Sequence, residues 1–89
     1  MPLEFPNTSR SFEVSKKRVR FWGYDQAIEI TFFVHAETLA KIDPGAGPSE
    51  QELLLVFDSA IERIHGAART AYNRSKRYSY AHVLSLSDF

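Results

Sequence analysis

The residues that could do chemistry are few, and the three histidines come first among them. His35, His65 and His82 could ligate a metal ion or transfer protons, but no two of them share the H-x-x-x-H spacing that would place both on one helix face. A serine nucleophile would need an exposing turn such as G-x-S-x-G, which the sequence lacks. The sequence therefore predicts no enzyme: no catalytic residues, no metal site and no cofactor.

A glycine-containing loop at residues 45–48 precedes a predicted helix, as phosphate-binding loops do. It lacks the G-x-x-x-x-G-K-[ST] pattern, and Glu50 and Glu52 put negative charge where an anion would sit. Ser49 and Glu52 instead match a capping box, in which each side chain bonds the backbone amide of the other residue. We expect this loop to be a linker that leads into a helix cap.

The strongest candidate for a binding surface combines arginines with aromatic residues. Alternation along a predicted strand places Arg18, Arg20, Trp22 and Tyr24 on one face, and Phe33 of the next strand shares that face. Exposed rings beside arginines are what single-stranded nucleic acids bind, through stacking and phosphate contacts. The same groups are also typical of protein interfaces.

Three interpretations of this face are open from sequence alone. Leu3 and Phe5 of the N-terminal segment could cover it, another protein or a second copy could bind it, or single-stranded nucleic acid could do so. A second cluster near the end of the predicted helix, with Arg69, Arg74 and Tyr78, has the same ambiguity. Basic side chains there also compensate the helix dipole without any ligand.

Size and composition limit the remaining possibilities. The 89 residues are expected to form one domain over residues 1–89, because a second core would be too small to be stable. Eleven basic and 11 acidic side chains leave no net charge to attract nucleic acid or anionic lipid. The chain has no cysteine, no apolar run near the ~20 residues of a membrane span, and no secretory signal at its N-terminus. We expect a soluble cytoplasmic protein.

The first half of the chain predicts an antiparallel sheet. Short strands at residues 3–5 and 11–14 precede two alternating runs, residues 18–24 and 28–34, joined by a turn around Asp25 and Gln26. This turn predicts three cross-strand pairs: Gly23 with Ile28, Phe21 with Ile30, and Val19 with Phe32. Apolar residues then meet apolar residues throughout, so we expect these rows to form the core side of the sheet.

The second half predicts a short helix at Ala36–Ile42, a long amphipathic helix over residues 49–76, and a last strand over residues 78–86. The predicted class is α+β: an antiparallel β-meander and a C-terminal strand packed on one long helix. That helix would be about 42 Å long, whereas a compact domain of this size is roughly 31 Å across. We expect it either to bend or fray near Gly66, or to project its basic C-terminal turns beyond the sheet, where another molecule such as a second copy covers them.

Several short phrases of the chain resemble a small bacterial family, the domain of unknown function 1488. They are Phe5-Pro6-Asn7, Val19-Arg20-Phe21-Trp22-Gly23-Tyr24-Asp25, Phe32-Phe33-Val34, Gly47-Pro48-Ser49-Glu50, Arg63-Ile64-His65 and Ser87-Asp88-Phe89. The resemblance implies a stand-alone bacterial cytoplasmic protein of α+β fold. It implies no activity, because the family is uncharacterised, and it assigns no site residues.

The aromatic surface and the helix length both exceed what so small a core needs, which predicts a non-enzymatic interaction or regulatory module, as a homodimer or with another protein partner. The alternative is a weak single-stranded nucleic-acid binder that uses the aromatic and basic sheet face. No membrane partner is expected.

Overall fold

The computed structural model of the chain describes residues 3–6, 10–45, 47, 49–74 and 81–89. Five strands and three helices within these ranges confirm the α+β class. The elements are β1 Leu3–Glu4, β2 Arg10–Glu13, β3 Arg18–Asp25, β4 Ile28–His35, α1 Ala36–Ile42, α2 Glu50–Ser59, α3 Ile61–Arg74, β5 Ala81–Leu84 and a 3₁₀ turn Leu86–Asp88.

Strand β3 is the centre of the sheet. Strands β1 and β2 pair with successive stretches of one of its edges, and β4 pairs with the other edge, all antiparallel. Strand β5 lies beside β4 and runs parallel to it, so the sheet is mixed. The antiparallel pairing predicted for the first half of the chain is confirmed, and the sequence left the direction of the C-terminal strand open. A parallel neighbour requires a crossover connection. The helical part of the chain between β4 and β5 provides it.

The turn of the β3–β4 hairpin lies one residue further along the chain than predicted. Asp25 pairs with Ile28, so the loop consists only of Gln26 and Ala27, and Gln26 adopts a φ of 59°. The register is therefore shifted by two residues from the predicted one: Gly23 pairs with Ile30, Phe21 with Phe32, and Val19 with Val34. Because a shift of two preserves the side-chain alternation, both faces of the sheet are as predicted.

One residue of the predicted core rows, Ile28, does not lie in the core. Ile28 ends up at the hairpin tip beside Asp25 and is 50% exposed. Val34, which pairs with Val19, is fully buried instead.

The predicted long helix is two consecutive helices that meet at Ala60. Its φ of −106° and ψ of 19° depart from helical values, and its N–H bonds the carbonyls of both Val56 and Phe57. The Ser59 hydroxyl donates to the same Val56 carbonyl at 3.1 Å. Serine hydroxyls that bond back into a helix tend to bend it. The helix is thus interrupted at Ala60 rather than near Gly66, and residues 75–76 lie outside the described ranges.

The start of α2 is capped by Ser49, as predicted. The Ser49 Oγ accepts a hydrogen bond from the Glu52 amide at 3.2 Å. The return bond differs from the expected box, because the Glu52 carboxylate accepts from the Ser49 hydroxyl at 2.8 Å.

The last strand is shorter than predicted. It covers Ala81–Leu84, and Leu86 belongs to the 3₁₀ turn, where its side chain is 46% exposed. Residues 78–80 lie outside the described ranges.

The core lies between the helices and one face of the sheet, here called the inner face. Phe21 is its central residue: its ring lies 5.4 Å from that of Phe32 and meets the ring of Phe57 from α2 edge-on at 5.1 Å. Ile64 of α3 is fully buried in the same cluster. The opposite face of the sheet, called the outer face below, consequently carries the other half of each strand's side chains.

Gly23 makes room for the N-terminal segment. A Cβ at this position would lie 2.7 Å from the Phe5 ring and 2.8 Å from the Glu4 carbonyl oxygen. The backbone oxygen belongs to a paired strand and has little freedom to move.

We expect Gly23→Ala to lower the free energy of unfolding by about 1–3 kcal/mol, since overpacking of this kind forces backbone shifts. Urea denaturation measures the loss. Gly66→Ala is the matched control: its Cβ would meet nothing within 4 Å, in the middle of α3, so it should stabilise the protein by about 0.5–1 kcal/mol. Equal effects of the two substitutions would contradict the packing of Phe5 on Gly23.

Candidate interaction surface

The outer face carries the arginines and aromatic residues that the sequence singled out. Arg18, Arg20, Trp22 and Tyr24 alternate with buried residues along β3, and all four are half-buried. Phe33 of β4 pairs with Arg20 and shares this face. The structure brings these five residues together on one face of the sheet.

The two arginines lie against aromatic rings. The Arg18 guanidinium carbon lies 3.7 Å from the centre of the Phe33 ring, and that of Arg20 lies 4.9 Å from the Trp22 ring. Such cation–π contacts contribute about 0.5–1 kcal/mol each at exposed sites. They hold the guanidinium groups close to the outer face.

Each arginine also has an acidic neighbour on the same face. Arg18 Nε donates to Glu13 Oε1 at 2.6 Å, and Arg20 Nη2 lies 3.7 Å from Glu29 Oε2. The outer face therefore presents two positive and two negative side chains around its rings, and has no strong field of one sign.

Leu3 and Phe5 do not cover the outer face, so that interpretation was wrong. Leu3 is buried in the core, and the Phe5 ring stacks on His65 of α3 at 3.9 Å. Both side chains point to the inner face because β1 pairs with β3 in the register Leu3 to Asp25.

One residue of the outer face was missed from sequence. Val83 of β5 pairs with Phe33 and is 52% exposed, so it extends the apolar strip across β4 to the sheet edge. Alternation alone placed Val83 away from Leu84 but could not identify its neighbour, because the parallel pairing of β5 is a tertiary feature.

The second predicted cluster lies elsewhere and does not join the outer face. Arg69 Nε donates to the Leu3 carbonyl at 3.2 Å, and its guanidinium lies 5.2 Å from the centre of the Phe5 ring, so it holds β1 against α3. Arg74 reaches the C-terminal turn instead. Tyr78 lies outside the described residues.

Arg74 neutralises a buried carboxylate. Its Nη1 lies 2.7 Å from Asp88 Oδ1, and the Asp88 side chain is fully buried. The other oxygen, Oδ2, accepts from the Ser85 amide at 2.8 Å and so closes the 3₁₀ turn. Oδ1 accepts no hydrogen bond of regular geometry, which leaves the guanidinium as its countercharge.

The histidines are dispersed, and two of them, His65 and His82, lie against aromatic rings. His82 stacks on Phe32 at 5.5 Å, and His35 lies at the far end of β4, opposite Arg18. Among the described residues, no group of three histidine, aspartate or glutamate side chains is placed to hold a metal ion.

Comparison with known proteins now identifies the family. A family model described as a protein of unknown function, DUF1488, matches residues 3–84. The chain belongs to the DUF1488 family. No curated protein and no solved structure matches it. Among the residues described for this DUF1488 protein, no helix is long and apolar enough to cross a bilayer.

His65 makes the stability of the DUF1488 fold sensitive to pH. Burial and, to a smaller extent, the nearby positive charge of Arg69 together lower the pKa of His65 to about 4. In the unfolded chain the pKa is about 6.5. As the pH falls, the unfolded chain therefore binds the proton first, so this contribution to stability is complete above about pH 6.5 and is lost towards pH 4.

We expect this loss to be about 1–2 kcal/mol, less than the full linkage value because the ring is partly open to solvent. Urea denaturation at pH 7 and pH 4.5 should show a smaller decrease for His65→Phe, which keeps the stack on Phe5, than for the wild type. The control variant His35→Gln should lose as much unfolding free energy between pH 7 and pH 4.5 as the wild type does. A His65→Phe variant as acid-sensitive as the wild type would contradict the assignment.

A second prediction concerns Arg74. Arg74→Ala leaves the Asp88 carboxylate buried without its countercharge, and we expect a loss of about 1–2 kcal/mol in unfolding free energy. Arg63→Ala, an exposed arginine of the same helix with no ion pair in the described structure, should change it by less than about 0.5 kcal/mol. Thermal unfolding compares the two, and indistinguishable variants would refute the structural role of Arg74.

Proposed function

We propose that this DUF1488 protein is a non-enzymatic interaction or regulatory module whose outer sheet face binds the same face of a second copy. The observation that carries the proposal is the composition of that face, in which aromatic rings are surrounded by equal numbers of opposite charges. Trp, Tyr, Phe and Arg are the residues enriched in the cores of protein interfaces.

The charges favour a second copy over an unrelated partner. A two-fold interface brings the same patch of both subunits together, so the patch must be complementary to itself. Arg18 and Arg20 with Glu13 and Glu29 meet this condition, because the arginines of one copy can face the glutamates of the other. The chain also has no net charge that would keep two copies apart.

Single-stranded nucleic acid is the second candidate, and the outer face is less suited to it. The aromatic surface that a base would stack on is partly occupied by the guanidinium groups of Arg18 and Arg20. The adjacent carboxylates of Glu13 and Glu29 oppose a phosphate backbone. Binding would require both arginines to leave their present contacts.

Trp22 is the only tryptophan, so it reports directly on this surface. Sedimentation equilibrium should show a dimer that dissociates on dilution, and the emission of Trp22 should shift to longer wavelength over the same concentration range. Trp22→Ala should weaken association at least about tenfold, as expected for a central aromatic residue. Leu55→Ala, at a more exposed apolar residue on α2, should not. A strict monomer at millimolar concentration would refute the proposal.

Charge exchange tests the partner. Arg20→Glu and Glu29→Arg should each weaken self-association, and an equimolar mixture of the two variants should recover it through a mixed dimer. No recovery would argue against two-fold pairing through these residues. A labelled single-stranded oligonucleotide at low salt tests the second candidate, since binding that is reduced by Arg20→Ala and Trp22→Ala would favour nucleic acid.

A further inference from the structure

A small concavity lies at one end of the sheet, where the β2–β3 turn meets the start of α1. It has a volume of about 240 Å³ and is lined by Lys16, Lys17, His35, Ala36 and Glu37. We propose that it binds the phosphate group of a small, soluble phosphate monoester, with Lys16, Lys17 and His35 as the residues that contact the phosphate. This inference is independent of the proposed dimer.

The backbone brings the two lysines and the histidine to one place. The Lys16 amide donates to the Glu13 carbonyl at 3.3 Å, and Lys17 adopts a φ of 51°, which is uncommon for a residue with a side chain. The Lys17 carbonyl accepts from the Ala36 amide at 2.9 Å, so the turn is joined to the residue that follows His35. The three side chains therefore line the same concavity although they come from two separate parts of the chain.

The charges of the lining favour an anion. Two lysines and a histidine face a single carboxylate, that of Glu37, in a chain whose net charge is zero. Within the described part of the chain, neither lysine side chain takes part in an ion pair or a hydrogen bond, whereas Arg18 and Arg20 of the outer face are both paired with glutamates. The concavity thus has positive charge that no described residue neutralises.

His35 supplies a further hydrogen-bond donor. It is the N-cap residue of α1, yet its side chain makes no capping hydrogen bond, and the described ranges hold no other polar or ring partner for it. A neutral imidazole carries one N–H donor and a protonated one carries two. Because a phosphate group has three strong acceptor oxygens, two ammonium groups and one imidazole can each donate to it.

The volume and the number of charges together indicate the class of ligand. Sites for drug-sized molecules measure about 300–1,000 Å³, and this concavity is smaller, so it suits a phosphate group with a short substituent. A phosphate monoester carries nearly two negative charges at neutral pH, whereas a carboxylate or a phosphate diester carries one. Two lysines without a countercharge therefore favour the monoester.

Anions of similar shape and different charge test the proposal. Methyl phosphate and dimethyl phosphate are titrated separately into ¹⁵N-labelled full-length protein at constant ionic strength and about pH 7.5, where the monoester is mainly a dianion. The amide shifts of Lys16, Lys17 and Ala36 are followed. We expect saturable binding of methyl phosphate, at least about threefold tighter than binding of dimethyl phosphate. Equal affinities, shifts that chloride reproduces, or no saturation would each overturn the proposal.

Charge variants test which side chains bind the anion. Lys16→Gln and Lys17→Gln should each weaken methyl phosphate binding by about two- to fivefold, whereas Lys41→Gln, on α1 but outside the concavity, should not change it. Glu37→Gln removes the carboxylate of the lining and should strengthen binding. Methyl phosphate binding that is unchanged in both lysine variants, or that is weakened by Glu37→Gln, would show that the anion lies elsewhere.

Vesicles distinguish a soluble monoester from a lipid head group of the same chemistry. The protein is sedimented with phosphatidylcholine vesicles that contain phosphatidic acid, and we expect it to remain in the supernatant. Co-sedimentation of the wild type that is lost in Lys16→Gln would overturn the assignment to a soluble ligand.

Discussion

The packing of Phe21 is the constraint on which the rest of the structure depends. Its buried ring is surrounded by Phe5, Phe32 and Phe57, which come from a neighbouring strand segment, the paired strand and a helix. Because side chains alternate along a strand, an inward Phe21 places Arg20 and Trp22 on the outer face. The side chains that form the core and those that form the outer face are therefore both determined by which residues of β3 face inward.

Features set by local periodicity could be predicted from sequence. The facing of residues in β3 and β4 depends only on alternation, and α1 and the Ser49 cap depend on residues within a few positions. The hairpin register depends on whether Gln26 adopts a positive φ, which a glutamine does not signal as a glycine would. The predicted faces of β3 and β4 were therefore correct, whereas the predicted cross-strand pairs were wrong.

Features set by distant contacts could not be predicted. The helix is interrupted at Ala60, where the Ser59 hydroxyl donates to the Val56 carbonyl. The amphipathic pattern of the sequence continues through this position, so it gives no sign of the interruption. Arg69 and Arg74 form a basic cluster in the sequence, but in the structure each has its own partner. Arg69 bonds the Leu3 carbonyl and Arg74 pairs with Asp88, and no sequence pattern indicates either contact. The parallel pairing of β5 belongs to the same group, and with it the place of Val83.

The position of Asp88 has a consequence for how fragments of the family are defined. The family match ends at residue 84, yet the carboxylate that closes the last turn and neutralises the end of α3 lies beyond it. A fragment trimmed to the matched boundaries would lose the Arg74–Asp88 ion pair and the ring of Phe89, which packs against the core. The residues that match the family model are thus fewer than the residues that pack together in this protein.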